Sequence, residues 1–165
     1  MLRKATRSTR KKKRFAFTLV ELLIVVVILG VLAAVITTAF ANAGVEAGQK
    51  AFATNIKTLA SACELYRVQN GVWPADSTSG ELPPEMVPYI KSHQWETPTP
   101  IGGVWDIEFE EAGVTAAIGV HFDGTGQTQD DEFMEMVDAI FDNGALDSGS
   151  FQKLADARYY YILEP

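Results

Sequence analysis

The chain has 165 residues, 14 Lys and Arg against 21 Asp and Glu, and a single cysteine, Cys63. That length holds one domain with a sizeable core and scarcely two, and one cysteine excludes an intramolecular disulfide. Eight of the cations (Arg3, Lys4, Arg7, Arg10, Lys11, Lys12, Lys13 and Arg14) precede residue 15, so six face all 21 acids in the rest. A body that acidic excludes phosphate neutralisation as a way of holding nucleic acid.

Residues 1–16 read as a basic leader, with no acid before Glu21. From Leu22 to Val45 no charge occurs for 24 residues. As a helix this is about 36 Å, enough for a hydrocarbon core of about 30 Å with some tilt. A basic flank before such a span fixes its orientation with the leader on the cytoplasmic side. Ala41-Asn42-Ala43 also has the small-residue pattern of a secretory cleavage site, so release of a soluble domain from Gly44 onward stays open, as does an uncleaved membrane-anchored binding module. Glu21 argues against the first of these: an acid at the mouth of a membrane helix marks a functional site. Gly30, Ala33, Ala34, Ala39 and Ala41 are small enough to let neighbouring helices approach.

Ala16-Phe17-Thr18-Leu19-Val20-Glu21-Leu22 resembles the processing site of type IV pilins and of the pseudopilins of type II secretion. The resemblance implies cleavage by a prepilin peptidase between Ala16 and Phe17, N-methylation of Phe17, and an assembly role for Glu21 and Gly30. It departs from the usual pattern in having Ala16 where a glycine commonly stands. Cleavage would create an α-amino group at Phe17, the partner that Glu21 lacks, either four residues away in its own helix or on a neighbouring subunit. The implied protein is a non-enzymatic subunit of a helical homo-oligomeric filament. Its further partners would be an inner-membrane assembly platform and minor pseudopilins or pilins, and its single span would place the head in the periplasm. A secretion pseudopilus and a surface pilus for adhesion, motility or DNA uptake both fit that family.

The span at 17–43 is expected to continue as one helix to about Asn70, with Asn42 to Gly44 and Gly48 weakening it without ending it. Phe52, Ile56, Leu59, Cys63 and Tyr66 form one apolar stripe, and Asn70-Gly71 is a C-terminal cap. Tyr66 to Pro74 is similar to the stretch that closes the long helix in G-type pseudopilins. The head, 44–165, is expected to begin with a turn between prolines that points Met86, Val87 and Ile90 inward. Three strands follow, at Val104–Glu110, Thr115–Phe122 and Arg158–Leu163, the first with a wet face of Asp106, Glu108 and Glu110. Between the last two, a helix capped near Thr128–Asp131 shows a stripe of Phe133, Met136, Val137 and Ile140. The expected fold is α+β and pilin-like: a long N-terminal helix packed on a small antiparallel sheet.

No nucleophile triad, phosphate loop or paired-cysteine motif is present. His93 and His121 are 28 residues apart, and His121 alternates with the apolar side of its strand, as a solvent-facing residue would. Calcium is the one cofactor that the resemblance raises, with Asp123, Asp142 and Asp147 in oxygen-rich turns as candidate ligands. Neither turn has EF-hand spacing, and turn formation and helix capping account for the same residues.

Overall fold

The computed structural model describes residues 17–110 and 113–165. The chain divides into two compact units, one ending at Ala41 and the other running Asn42–Pro165. Helix α1, Leu19–Asn70, passes from the first into the second. Its 52 residues contain no proline, and Asn42, Gly44 and Gly48 do not interrupt it. Gly48 has a packing reason: a Cβ there would stand 3.1 Å from the Pro100 carbonyl oxygen. At the end of α1 the Gly71 N–H donates to the Arg67 carbonyl, and the Asn70 side-chain amide donates to that of Tyr66.

In the first unit, the apolar side chains from Leu19 to Ile36 are exposed all round the helix. Among the described residues α1 is long and apolar enough to cross a membrane. A helix apolar on every side needs lipid or protein around it.

In the second unit, α1 is followed by a 3-10 turn at Pro84–Met86, the short helix α2 at Ser92–Glu96, strand β1 at Val104–Phe109, strand β2 at Ala116–His121, helix α3 at Asp131–Phe141, strand β3 at Phe151–Ala155 and strand β4 at Arg158–Glu164. The strands form one antiparallel sheet in the order β1-β2-β4-β3. The period-2 alternation of β1, β2 and β4 puts Trp105, Ile107, Ile118, Val120 and Tyr159 in the core with Phe52, Ile56, Leu59 and Cys63 of α1. Phe52 stacks on Trp105 with centroids 5.6 Å apart and meets Phe151 edge-on at 6.2 Å. The helical stripe expected from spacing is therefore the buried one.

Four details differ from the sequence expectation. Asp106 and Glu108 are buried, at 1% and 7% exposure, because β4 supplies them with a cation and a hydroxyl. In α3 the buried residues are Met134, Val137 and Asp138, while Met136 and Ile140 are exposed. Two overlapping i, i+3, i+4 patterns exist in that helix, and a buried acid hides the one that docks. Val87 is exposed while Met86 and Ile90 are buried. Strand β3 is additional: its sequence, Phe-Gln-Lys-Leu-Ala, has little alternation, and its pairing with β4 makes it a strand.

Candidate assembly site and the buried polar groups of the head

Thr18 and Glu21 close the start of α1 on each other. The Glu21 N–H donates to the Thr18 hydroxyl at 3.2 Å, while Glu21 Oε2 accepts from the Thr18 N–H at 2.8 Å and its hydroxyl at 2.9 Å. This is a reciprocal capping box, and it satisfies backbone donors that the first turn of a helix leaves unpaired. A carboxylate also suits the positive end of the helix dipole. The Thr-x-x-Glu spacing signals it in the sequence, a signal that reading Glu21 as a lone acid passes over. Phe17 and Leu19 beside it are exposed, at 72% and 88%. A Cβ placed on Gly30 would meet nothing within 4 Å, so that face of the helix is open to a close neighbour. Ala16 and the leader lie outside the described residues.

The head holds its polar groups in three places. On the outer face of the sheet, Arg158 Nη1 donates to Asp106 Oδ2 and Glu108 Oε1, both at 2.7 Å, and the Tyr160 hydroxyl lies 2.6 and 2.9 Å from the same two oxygens. β2 runs between these strands, and the contact crosses it at Gly119, which pairs with Asp106 on one side and Tyr160 on the other. Burial raises the Glu108 carboxyl above its ordinary value, against the Tyr160 hydrogen bond. Burial and the neighbouring Asp106 push the Tyr160 phenol upward. At one end of the same sheet, His121 is half-buried with Nδ1 3.0 Å from the Ser79 hydroxyl. Burial, and then repulsion from Arg158, holds its imidazole below the usual value and hence neutral.

The second place locks the residues after α1. Trp73 stacks on Phe109 at 5.8 Å, its ring N–H donates to Glu164 Oε2 at 2.7 Å, and Arg67 lies over its face while pairing with Glu164 at 2.8 Å. The aromatic-proline pair thus ties the helix end to the last strand. The third place is the end of α3. Asp142 accepts from the Ser150 N–H and hydroxyl and from the Asn143 N–H. Burial opposes its charge, yet these donors hold the acid down at about 2. Asp138 beside it is completely enclosed, its carboxyl facing the Asp142 carboxylate and the backbone N–H groups of Gly144 and Ala145. Burial and the Asp142 carboxylate push Asp138 up to about 6.

The residues at the start of the chain decide its kinship. Residues 11–37 match the family described as the prokaryotic N-terminal methylation motif. The N-terminal segment is similar to that motif. The match covers the end of the basic leader, the Phe17–Glu21 stretch and the first part of the apolar helix. The chain is also 35% identical over 65 residues to a type II secretion system core protein G of Vibrio cholerae serotype O1, and 32% identical over 66 residues to one of Pseudomonas aeruginosa. These stretches are 39% and 40% of this chain and 44% and 46% of the relatives, so the chain spans less than half the length of the curated relatives it matches. No solved structure matches it at the same significance.

Beyond the methylation motif, the three aspartates of the calcium expectation do not come together. Asp123 closes its own turn, accepting from the Thr125 N–H at 2.9 Å and hydroxyl at 2.6 Å, and Asp147 meets the Ser148 hydroxyl at 3.3 Å. Among the described residues no group of three or more His, Cys, Asp and Glu is placed to hold a metal. Asp142 instead stands with Asp138. A buried carboxyl next to a carboxylate favours a proton shared between the two. Cys63 is buried in the apolar core, which pushes its thiol up to about 12 and makes it a hydrophobe rather than a nucleophile.

Proposed function

We propose that this chain is a structural, non-enzymatic subunit that polymerises into the pseudopilus of a type II secretion system. The observation that carries the reading is the methylation motif over residues 11–37 laid on a membrane-length helix that begins with the Thr18–Glu21 box. The two curated relatives, both core proteins of type II secretion, support that system over a surface pilus. In this reading a prepilin peptidase cuts between Ala16 and Phe17, Phe17 is N-methylated, and the head faces the periplasm from a single inner-membrane span.

The capping geometry supports a division of labour within Glu21. Oε2 takes both bonds from Thr18, and Oε1 has no hydrogen bond among the described residues. An acid in the bilayer costs up to about 3 kcal/mol, and an amine partner removes much of that cost. In the filament Oε1 accepts from the Phe17 amine of a neighbouring subunit, and that pairing sets the register between subunits.

The test is the intact mass and N-terminal sequence of the membrane-extracted chain, together with filament formation by Glu21→Ala. N-methylated Phe17 and loss of ordered filaments in the variant are expected. Retention of Met1 would make the chain an anchored module, and a start at Gly44 would make it a secreted domain.

A further inference from the structure

Between α1 and α2 the head is cut by a half-closed slot of about 360 Å³. Its floor is apolar and buried: Leu59 of α1, Ile90 before α2 and Trp105 of β1 are 7%, 3% and 2% exposed. Trp105 belongs to the sheet and to the core, so the slot reaches the core and is more than a dent in the surface. The rim is polar, with Asn55 of α1 and His93 and Gln94 of α2 exposed around the mouth. Thr58 and Thr97 also line it, but their hydroxyls are turned back onto the Thr54 and His93 carbonyls. The side chains of Asn55, His93 and Gln94 make no hydrogen bond among the described residues.

Charge, size and the rim define what fits. No Asp, Glu, Lys or Arg lines the slot, although these make up 21% of the chain. A charged group entering it would give up water and gain no counter-charge, so the occupant is neutral. A volume of about 360 Å³ is at the small end of ligand sites, which suits one large side chain and its immediate neighbours. At the rim, each carboxamide offers both a donor and an acceptor, as a peptide group does. Asn55 and Gln94 stand on different elements, and a chain segment whose side chain enters the slot brings a peptide group on each side of it. A bare aromatic or acyl group would fill the floor and leave both amides unused.

We propose that the slot binds a phenylalanine-like side chain from an extended segment of another polypeptide, with Asn55 and Gln94 pairing with the flanking peptide groups. Contact of the entering ring with Tyr89 and Trp105 favours an aromatic side chain over an aliphatic one. The site belongs to the folded head and does not depend on the filament reading.

The test uses full chain in phosphatidylcholine nanodiscs, with tryptophan emission as the readout because Trp105 lines the slot. The probe is the capped peptide acetyl-Ala-Phe-Ala-amide, which does not absorb where tryptophan is selectively excited. A saturable change with Kd on the order of 1 mM or below is expected. Acetyl-Ala-Glu-Ala-amide should bind at least about tenfold more weakly, and benzamide at least about fivefold. Asn55→Ala combined with Gln94→Ala, both at the surface, should weaken the Phe peptide at least about fivefold while the chain melts as wild type. Ala62→Leu, which narrows the slot, should abolish the response, and if that variant melts low the rim pair decides. No saturable change in the wild type, or an equal one in the rim variant, would overturn the proposal. Equal affinity for benzamide would make the slot a site for small aromatic molecules and overturn the assignment to a polypeptide. A response that weakens as the chain is concentrated would give the slot to a second copy, with the same consequence.

Discussion

Replacing Arg158 with Met tests the physical account of the head most directly. Asp106 and Glu108 are almost fully buried, and Arg158 and Tyr160 are the groups that face their inner oxygens. The guanidinium reaches both acids at 2.7 Å, whereas the phenol has one proton to share between them. Without Arg158, two acids remain with a single donor in a site that excludes water. Breaking a buried pair in this way costs about 3–5 kcal/mol, or roughly 10–20 °C in melting temperature for a chain of this size. The pH dependence follows from Glu108. Its folded value lies above its unfolded one, so its neutral form favours the fold at low pH, and that contribution is lost as pH rises through the folded value. Losing the cation raises the acid further, and a proton then substitutes for the missing charge. Thermal unfolding of the full chain in detergent at pH 8 and pH 5 should show the full gap at pH 8 and less than half of it at pH 5. A gap below about 1 kcal/mol at pH 8, or one that does not change with pH, would refute the reasoning.

Gly119→Ala should be among the most damaging small substitutions in the head. Its Cβ would stand 2.0 Å from the Tyr159 carbonyl oxygen, a backbone atom that cannot move without parting β2 from β4. A loss of at least about 3 kcal/mol is expected, read by circular-dichroism melting, while Gly44→Ala, with open space around it, leaves the transition within a few degrees of wild type. Asp138→Asn should stabilise the chain at pH 8 by on the order of 2 kcal/mol and change nothing below pH 4. An acid whose folded value is near 6 favours the fold in its neutral form and loses that contribution as pH rises through 6. A variant less stable than wild type at pH 8 would refute this account of Asp138.

The long helix was legible because its signals are local and repeated: an uncharged run, a stripe at steps of three and four, and an Asn-Gly stop. Strands β1 and β2 were legible by alternation for the same reason, and β4 by a run that is aromatic and apolar on both faces. The outer sheet face was not, because burying Asp106 and Glu108 depends on Arg158 and Tyr160, some fifty residues further along. Alternation reports two faces of a strand and assigns the polar one to water by default. Strand β3 has the opposite difficulty, since its pairing with β4 and not its composition defines it. At the start of α1 the carboxylate of Glu21 was recognisable as unusual, yet its bond to Thr18 followed from a four-residue spacing overshadowed by the membrane context.

The position of the last strand has a consequence for how the head comes into being. Strand β4 follows the other three in chain order, yet it lies inside the sheet, between β2 and β3. Until it arrives, β2 and β3 have no common neighbour, the acids of β1 have no cation, and Trp73 has no Glu164. Contacts of such long sequence separation form late and together, so the sheet, the cluster around Asp106 and Glu108 and the Trp73 lock are completed in one step.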